Sequence, residues 1–172
     1  EGRATDEVVL PVGEYHKAEA MAVALHDNPH MAELRTQEGW QIEQSIYVDC
    51  PETGLKLKCK ADAYNSNLRC VMDVKTCQTA NPAASQYGPF YKFGYHIQCA
   101  FYMRVLALQG IDINKFYIFA VESTAPHATQ CFDISSDTLK HGEAVMMDTL
   151  HRIKEAQESG EYLTGWPDWA VL

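Results

Sequence analysis

The segment KADAYNSNLRCVMDVKT, residues 60–76, sets Asp62, and then Asp73 with Lys75 two residues on, within runs that otherwise read as buried strands. Charged side chains are costly to bury unless they are paired or bound to a cation. On a strand, residues two apart share a face, so Asp73 and Lys75 point the same way. If Asp62 lies on the neighbouring strand of a hairpin, antiparallel pairing at ~5 Å brings its carboxylate beside that of Asp73. Two adjacent carboxylates repel, and a divalent cation resolves the conflict. Such a cation polarises a phosphoryl oxygen and lowers the pKa of bound water, and a lysine across from it orients or deprotonates that water. These are the parts of a phosphodiester-hydrolysing site. A lone D-x-K on a strand is equally ordinary as surface charge, so further residues must decide.

Three features add weight, each with a plainer alternative. Glu43, on the preceding strand, offers a third carboxylate to the same edge, or is simply solvated. Tyr95, Gln98 and Tyr102 fall at i, i+3 and i+7 of the following helix, a polar and aromatic stripe suited to facing a metal site and a nucleic-acid strand. Lys56, Lys58 and Lys60 form a basic ladder on the face of Asp62 that suits a phosphate backbone, or protects an edge strand.

The elements that must position these groups follow from periodicity. A helix is expected over 12–26, interrupted by Pro29, with a short second helix ending near Gly39. Three strands follow, over 42–49, 55–62 and 68–76, separated by the turn signals PETG and NSN. After a loop at 79–89 comes a strongly periodic helix with Ile97, Phe101, Val105 and Leu108 as its apolar stripe. A buried strand over 115–123 and a long helix from Ser136 to Gly160 complete the body, and the tail is expected to pack its tryptophans on it. This order predicts an α/β (α+β layered) domain: a central mixed sheet containing a β-meander, flanked by helices.

Composition bounds the rest. The 172 residues suit one domain, 47% hydrophobic and 22% charged, as in ordinary globular proteins. No apolar run approaches the ~20 residues of a membrane span. The six cysteines form no C-x-x-C pair, which favours buried reduced thiols and a cytoplasmic setting. A net charge of −9 argues against general affinity for nucleic acid. Any DNA role then needs a local basic patch, a metal or oligomeric geometry.

Asp62 followed eleven residues later by the DVKT segment at 73–76, and then by Tyr95, Gln98 and Tyr102, resembles the nuclease core of the PDDEXK superfamily. More narrowly it is similar to the RecE-type recombination exonucleases of phages and prophages, the exodeoxyribonuclease VIII family. Glu43 with the SI that follows Gln44, the turn ETGL from Glu52, KCKAD from Lys58 and the closing WPDWA from Trp166 fall in that family's order. The resemblance covers most of the chain from about residue 20.

It implies a magnesium- or manganese-dependent exonuclease that degrades linear double-stranded DNA from 5′ ends and leaves 3′ single strands. Asp62 and Asp73 would be metal ligands, Val74 would add its backbone carbonyl, and Lys75 would be the catalytic lysine. Gln98 and Tyr102 would line the site. A homo-oligomeric ring around DNA and a single-strand annealing protein are the implied partners, with no membrane.

In that family a histidine ligand usually comes from a G-x-x-x-H helix upstream of the first aspartate. Here His26 and His30 flank Pro29 instead. The expectation is therefore a fragment lacking an upstream helical segment, its histidine lying before residue 1 or being His30. Two rivals remain open on the sequence: a repair or restriction nuclease on the same core, and a core that has lost catalysis and persists as a DNA-binding scaffold.

Overall fold

The computed structural model describes residues 10–83 and 89–161. Two helices come first, α1 (Val12–Asp27) and α2 (Pro29–Arg35). Pro29 has no N–H with which to continue α1, but its fixed φ suits the first position of a new helix. Asn28 makes the junction. Its side-chain oxygen accepts hydrogen bonds from the N–H groups of His30 at 3.1 Å and Met31 at 3.3 Å, a cap that contributes ~1 kcal/mol.

Strands β1 (Trp40–Ile42), β2 (Ser45–Asp49), β3 (Lys56–Lys60), β4 (Ala63–Asn65) and β5 (Cys70–Cys77) follow. Then come the short α3 (Pro89–Lys92), α4 (Tyr95–Leu108), β6 (Lys115–Glu122), β7 (Thr129–Asp133) and α5 (Ser136–Ser159). Five strands make one sheet in the order β1-β4-β5-β6-β7, and β2 and β3 pair as a separate hairpin. Only β5 and β6 run parallel within the five-stranded sheet. A parallel pair requires a long crossover, and α3 and α4 lie on it.

The mixed sheet is flanked by helices on both faces, as the sequence predicts. One face carries Val71, Phe116 and Ile118 against Cys99, Val105 and Leu106 of α4 and Met146 and Leu150 of α5. Leu57 and Cys59 of the β2–β3 hairpin join the same core. The other face sets Met72, Phe119 and Val121 against Leu25 of α1, with Met31 and Leu34 of α2 partly buried there. Full burial of such side chains stabilises by ~1.5–3 kcal/mol each. Asp73 and Lys75, in step with Val71, therefore face α4 rather than α1.

The strand boundaries differ from expectation at two bends. Glu43 takes φ +54°, a left-handed conformation uncommon outside glycine, and turns the chain out of β1. The expected strand over 55–62 ends at Lys60; the chain bends at Ala61 and Asp62 and enters the main sheet at Ala63. The three strands expected as one meander thus divide between two sheets: the first two pair antiparallel as the separate β2–β3 hairpin, and the third, β5, pairs with the short β4 in the main sheet. Strand β7 was not anticipated. The α4 stripe is also broader than expected, because α4 lies between the hairpin and α5: Val105 is fully buried while Ile97, Phe101 and Leu108 are only partly so. The tryptophans Trp166 and Trp169, with their WPDWA segment, lie outside the described residues. Among the described residues no helix is long and apolar enough to cross a membrane.

Candidate active site

Strand β4 pairs with β5 from Asn65–Cys70 to Ala63–Met72 and stops there. From Asp73 to Cys77, β5 has only β6 as a strand partner. Asp62 occupies the place that β4 leaves. It immediately precedes Ala63, so the register that sets Ala63 opposite Met72 sets Asp62 opposite Asp73. Its Oδ2 accepts a hydrogen bond from the Val74 N–H at 2.8 Å. The corner is fixed from its other side by the Glu43 N–H, which donates to the Asp62 carbonyl at 3.0 Å. Asp62 is therefore brought to Asp73 by a bend, not along a continuous strand.

Asp73 is 2% exposed, and the Lys75 ammonium lies 2.6 Å from its Oδ2. That buried oxygen makes no hydrogen bond of good geometry, so the contact is a close ion pair. Burial pushes the Asp73 carboxyl above the usual carboxylate range; the Asp62 charge adds to this and Lys75 opposes it. For Lys75, burial pulls the ammonium down, but Asp73, Asp62 and Tyr95 outweigh it and hold the group above its ordinary value. The ammonium also sits over the Tyr95 ring, 5.2 Å from its centroid. Cys99, one turn beyond Tyr95, is pushed up to about 12 by burial, an inert thiol.

Hard oxygen donors of this kind suit magnesium or manganese. The fit rests on two carboxylates set opposite each other, one with a buried oxygen that lacks a well-aligned donor. Among the described residues, no group of three or more His, Cys, Asp or Glu side chains is gathered. Glu43, expected as a third carboxylate, is turned to an ion pair with Lys60, and its bend at the end of β1 sets its side chain on that course. His30 is exposed on α2, whose apolar residues pack on the opposite face of the sheet from Asp73.

The remaining expected residues are placed as follows. Gln98 and Tyr102 meet on α4, where the Gln98 Nε2 donates to the Tyr102 hydroxyl at 3.1 Å. Tyr102 also packs on the core, its ring 6.4 Å from that of Phe116. The lysine ladder lies on the exposed face of the hairpin, but the bend removes Asp62 from that face. Lys56 is paired with Asp49 at 2.9 Å, and Lys60 with Glu43. Lys58 instead lies over the Tyr47 ring, 5.3 Å from its centroid. The ladder is thus largely neutralised.

A cleft of about 770 Å³, not among the expected features, opens beside Lys75. The end of β5 forms one wall, and Phe90, Tyr91, Lys92, Phe93 and Tyr95 form another. Its signal lies in the segment FYKFGY, where aromatics flank a lysine between the expected loop at 79–89 and the following helix.

Comparison with known proteins agrees with this fold. The family described as a PDDEXK-like domain of unknown function (DUF3799) matches residues 7–164. A solved protein from Eubacterium rectale, provisionally described as an exonuclease, superposes with a TM-score of 0.66 at 16% identity. The match covers 95% of this chain and 66% of that one, just under two thirds of its length, and at that identity it speaks for the fold. A second solved structure, of a protein named SSO0001, is 13% identical over 87% of this chain and 69% of its own, with a TM-score of 0.43 that carries no argument. No curated protein matches the chain. With its mixed sheet and its Asp62–Asp73–Lys75 corner, the chain belongs to the PDDEXK-like family.

Proposed function

We propose that the chain is a metal-dependent nuclease that hydrolyses phosphodiester bonds of linear double-stranded DNA from 5′ ends, leaving 3′ overhangs for recombination by strand annealing. The observation that carries the hydrolytic reading is the convergence of Asp62, Asp73 and Lys75 at the open edge of β5. Magnesium or manganese held by Asp62, Asp73 and the Val74 carbonyl would polarise the phosphoryl oxygen and supply water of lowered pKa. Asp73 brings buried negative charge to the cation. Asp62 fixes the corner through Val74 and brings the second charge. Lys75, held as an ammonium by its carboxylate neighbours, acts by donating hydrogen bonds to the attacking oxygen and to charge developing on the phosphate, rather than as a base. Glu43 is left out of the ligand set because Lys60 engages it.

The 5′ polarity and the recombination role are supported by the RecE-type order of motifs along the chain. A homo-oligomeric ring would hold a protein of net charge −9 on DNA by topology rather than by bulk attraction. In this reading the chain works in the cytoplasm of a bacterium or phage-infected host, beside a single-strand annealing protein. The test compares end-labelled linear duplex with closed-circular duplex in magnesium and in manganese. Metal-dependent loss of the linear substrate alone, with the 5′ label released first, is expected. Equal attack on the circle indicates an internal-site nuclease and overturns the end-dependent reading.

A further inference from the structure

We propose that the aromatic cleft beside Lys75 is a binding site for an unpaired DNA strand, with Phe93 and Tyr91 as stacking platforms and Lys92 as the phosphate contact. The proposal deepens the nuclease reading and rests on it only for what happens at Lys75.

Exposed aromatic surface is the first observation. Phe93 is 63% exposed and Tyr91 43% exposed, on either side of Lys92, and all three line the cleft that Lys75 also lines. Gly94, at φ +69°, turns the chain between Phe93 and Tyr95 in a conformation that side-chain-bearing residues rarely adopt. That turn sets the two rings 5.8 Å apart, and Tyr95 in turn lies under the Lys75 ammonium. Rings therefore lead from solvent to the proposed reacting centre.

Charge is the second. The cleft is lined by two cations, Lys75 and Lys92, and one carboxylate, Asp133. Asp133 is paired with Lys115 at 2.8 Å and Lys75 with the adjacent Asp73, which among the described residues leaves the Lys92 ammonium to meet a phosphate. That lysine between two exposed rings gives the cleft a local attraction for a phosphate backbone on a chain of net charge −9. Size and chemistry then select between strands. A cleft of about 770 Å³ is of ligand-pocket size, too small to admit a duplex. Bases within a duplex are stacked on one another and offer no face to Phe93, whereas unpaired bases stack on any aromatic ring. A duplex end must therefore open before its strand can reach Lys75.

The test is fluorescence anisotropy in chelator at ~50 mM salt, where binding is read without cleavage. The probes are a labelled oligothymidylate of ~12 nucleotides and a blunt hairpin duplex of similar length. The oligothymidylate is expected to bind more tightly than the duplex. Phe93→Ala should weaken it about tenfold, Phe93→Trp should restore it and Phe93→Leu should not. Lys92→Ala should weaken it and flatten its salt dependence. Equal or tighter binding of the duplex, an unchanged Phe93→Ala, or no binding of the oligothymidylate overturns the proposal. A chain that binds through Phe93 yet cleaves nothing in any metal keeps the cleft and loses the nuclease reading; one that cleaves while Phe93→Ala binds normally loses only the cleft.

Discussion

The Asp62 carboxylate accepts the Val74 N–H at 2.8 Å, one residue along β5 from the buried Asp73. One side chain thereby satisfies the backbone donor that β4 leaves open and delivers a second negative charge opposite Asp73. The two roles are separable, because the hydrogen bond needs an oxygen and the cation needs a charge.

Asp62→Asn keeps an acceptor for Val74 and loses the charge, while Asp62→Ala loses both. Asp62→Asn should unfold within ~0.5 kcal/mol of the parent and Asp62→Ala ~1 kcal/mol below it in urea titrations. Both should lose metal-dependent cleavage by at least about a hundredfold. Cleavage by Asp62→Asn at the parental rate removes Asp62 from the metal set.

Lys75→Ala should lower the rate of cleavage at least about a hundredfold, the scale for losing one donor to a charged transition state. Manganese affinity, read by calorimetric titration, should be unchanged or tighter, since the substitution removes an ammonium 2.6 Å from Asp73 Oδ2. Parental cleavage by Lys75→Ala contradicts its role.

The Asp73–Lys75 strand was legible because β5 is uninterrupted and strand alternation fixes which side chains share a face. The helices α1 and α4 were legible from the helical spacing of their apolar residues, and α5 from its length, its N-terminal serine and its Gly160 stop. The path to Asp62 was not. Alternation over 55–62 runs unbroken through Ala61, and nothing in the residue types marks the bend there or the left-handed turn at Glu43. Those bends are what free Asp62 from the lysine face and commit Glu43 to Lys60. β7 is short, lies at the sheet edge and is only partly buried, which leaves little pattern to read.

Helices α4 and α5 approach each other backbone to backbone at Gly142. A Cβ there would collide with the His96 carbonyl group, so Gly142→Ala must push the helices apart. It should destabilise by ~1–3 kcal/mol or more, despite alanine's helix propensity. Gly13, with nothing within 4 Å of its Cβ position, provides the contrast. Gly13→Ala should stabilise by up to ~1 kcal/mol. Equal urea midpoints for the two variants contradict the close approach.

The same junction should respond to acid. His96 is buried, its Nδ1 lacks a partner, and it stacks on His141 of α5 at 5.2 Å with the Tyr91 ring 4.8 Å away. Burial, with the charge of His141, holds His96 below the ordinary histidine value. A lowered folded value means that the native state binds fewer protons than the unfolded chain. Its contribution is full above the unfolded value of ~6.5 and is lost as pH falls through the folded one. The urea midpoint should therefore drop as pH falls below about 6.5, and His96→Gln should flatten that drop. A rise in stability over the same window contradicts the assignment.

Metal-dependent hydrolysis at the Asp62–Asp73–Lys75 corner is read out by release of acid-soluble nucleotides from linear duplex DNA. The parent and Asp73→Asn are measured side by side in magnesium, in manganese and in chelator, with both confirmed as folded. The parent should release nucleotides in either metal and none in chelator, and Asp73→Asn should lose about a thousandfold or more, the several kcal/mol expected of a lost metal-held charge. Release that persists in chelator, or that Asp73→Asn sustains at the parental rate, would contradict metal-dependent hydrolysis at that corner.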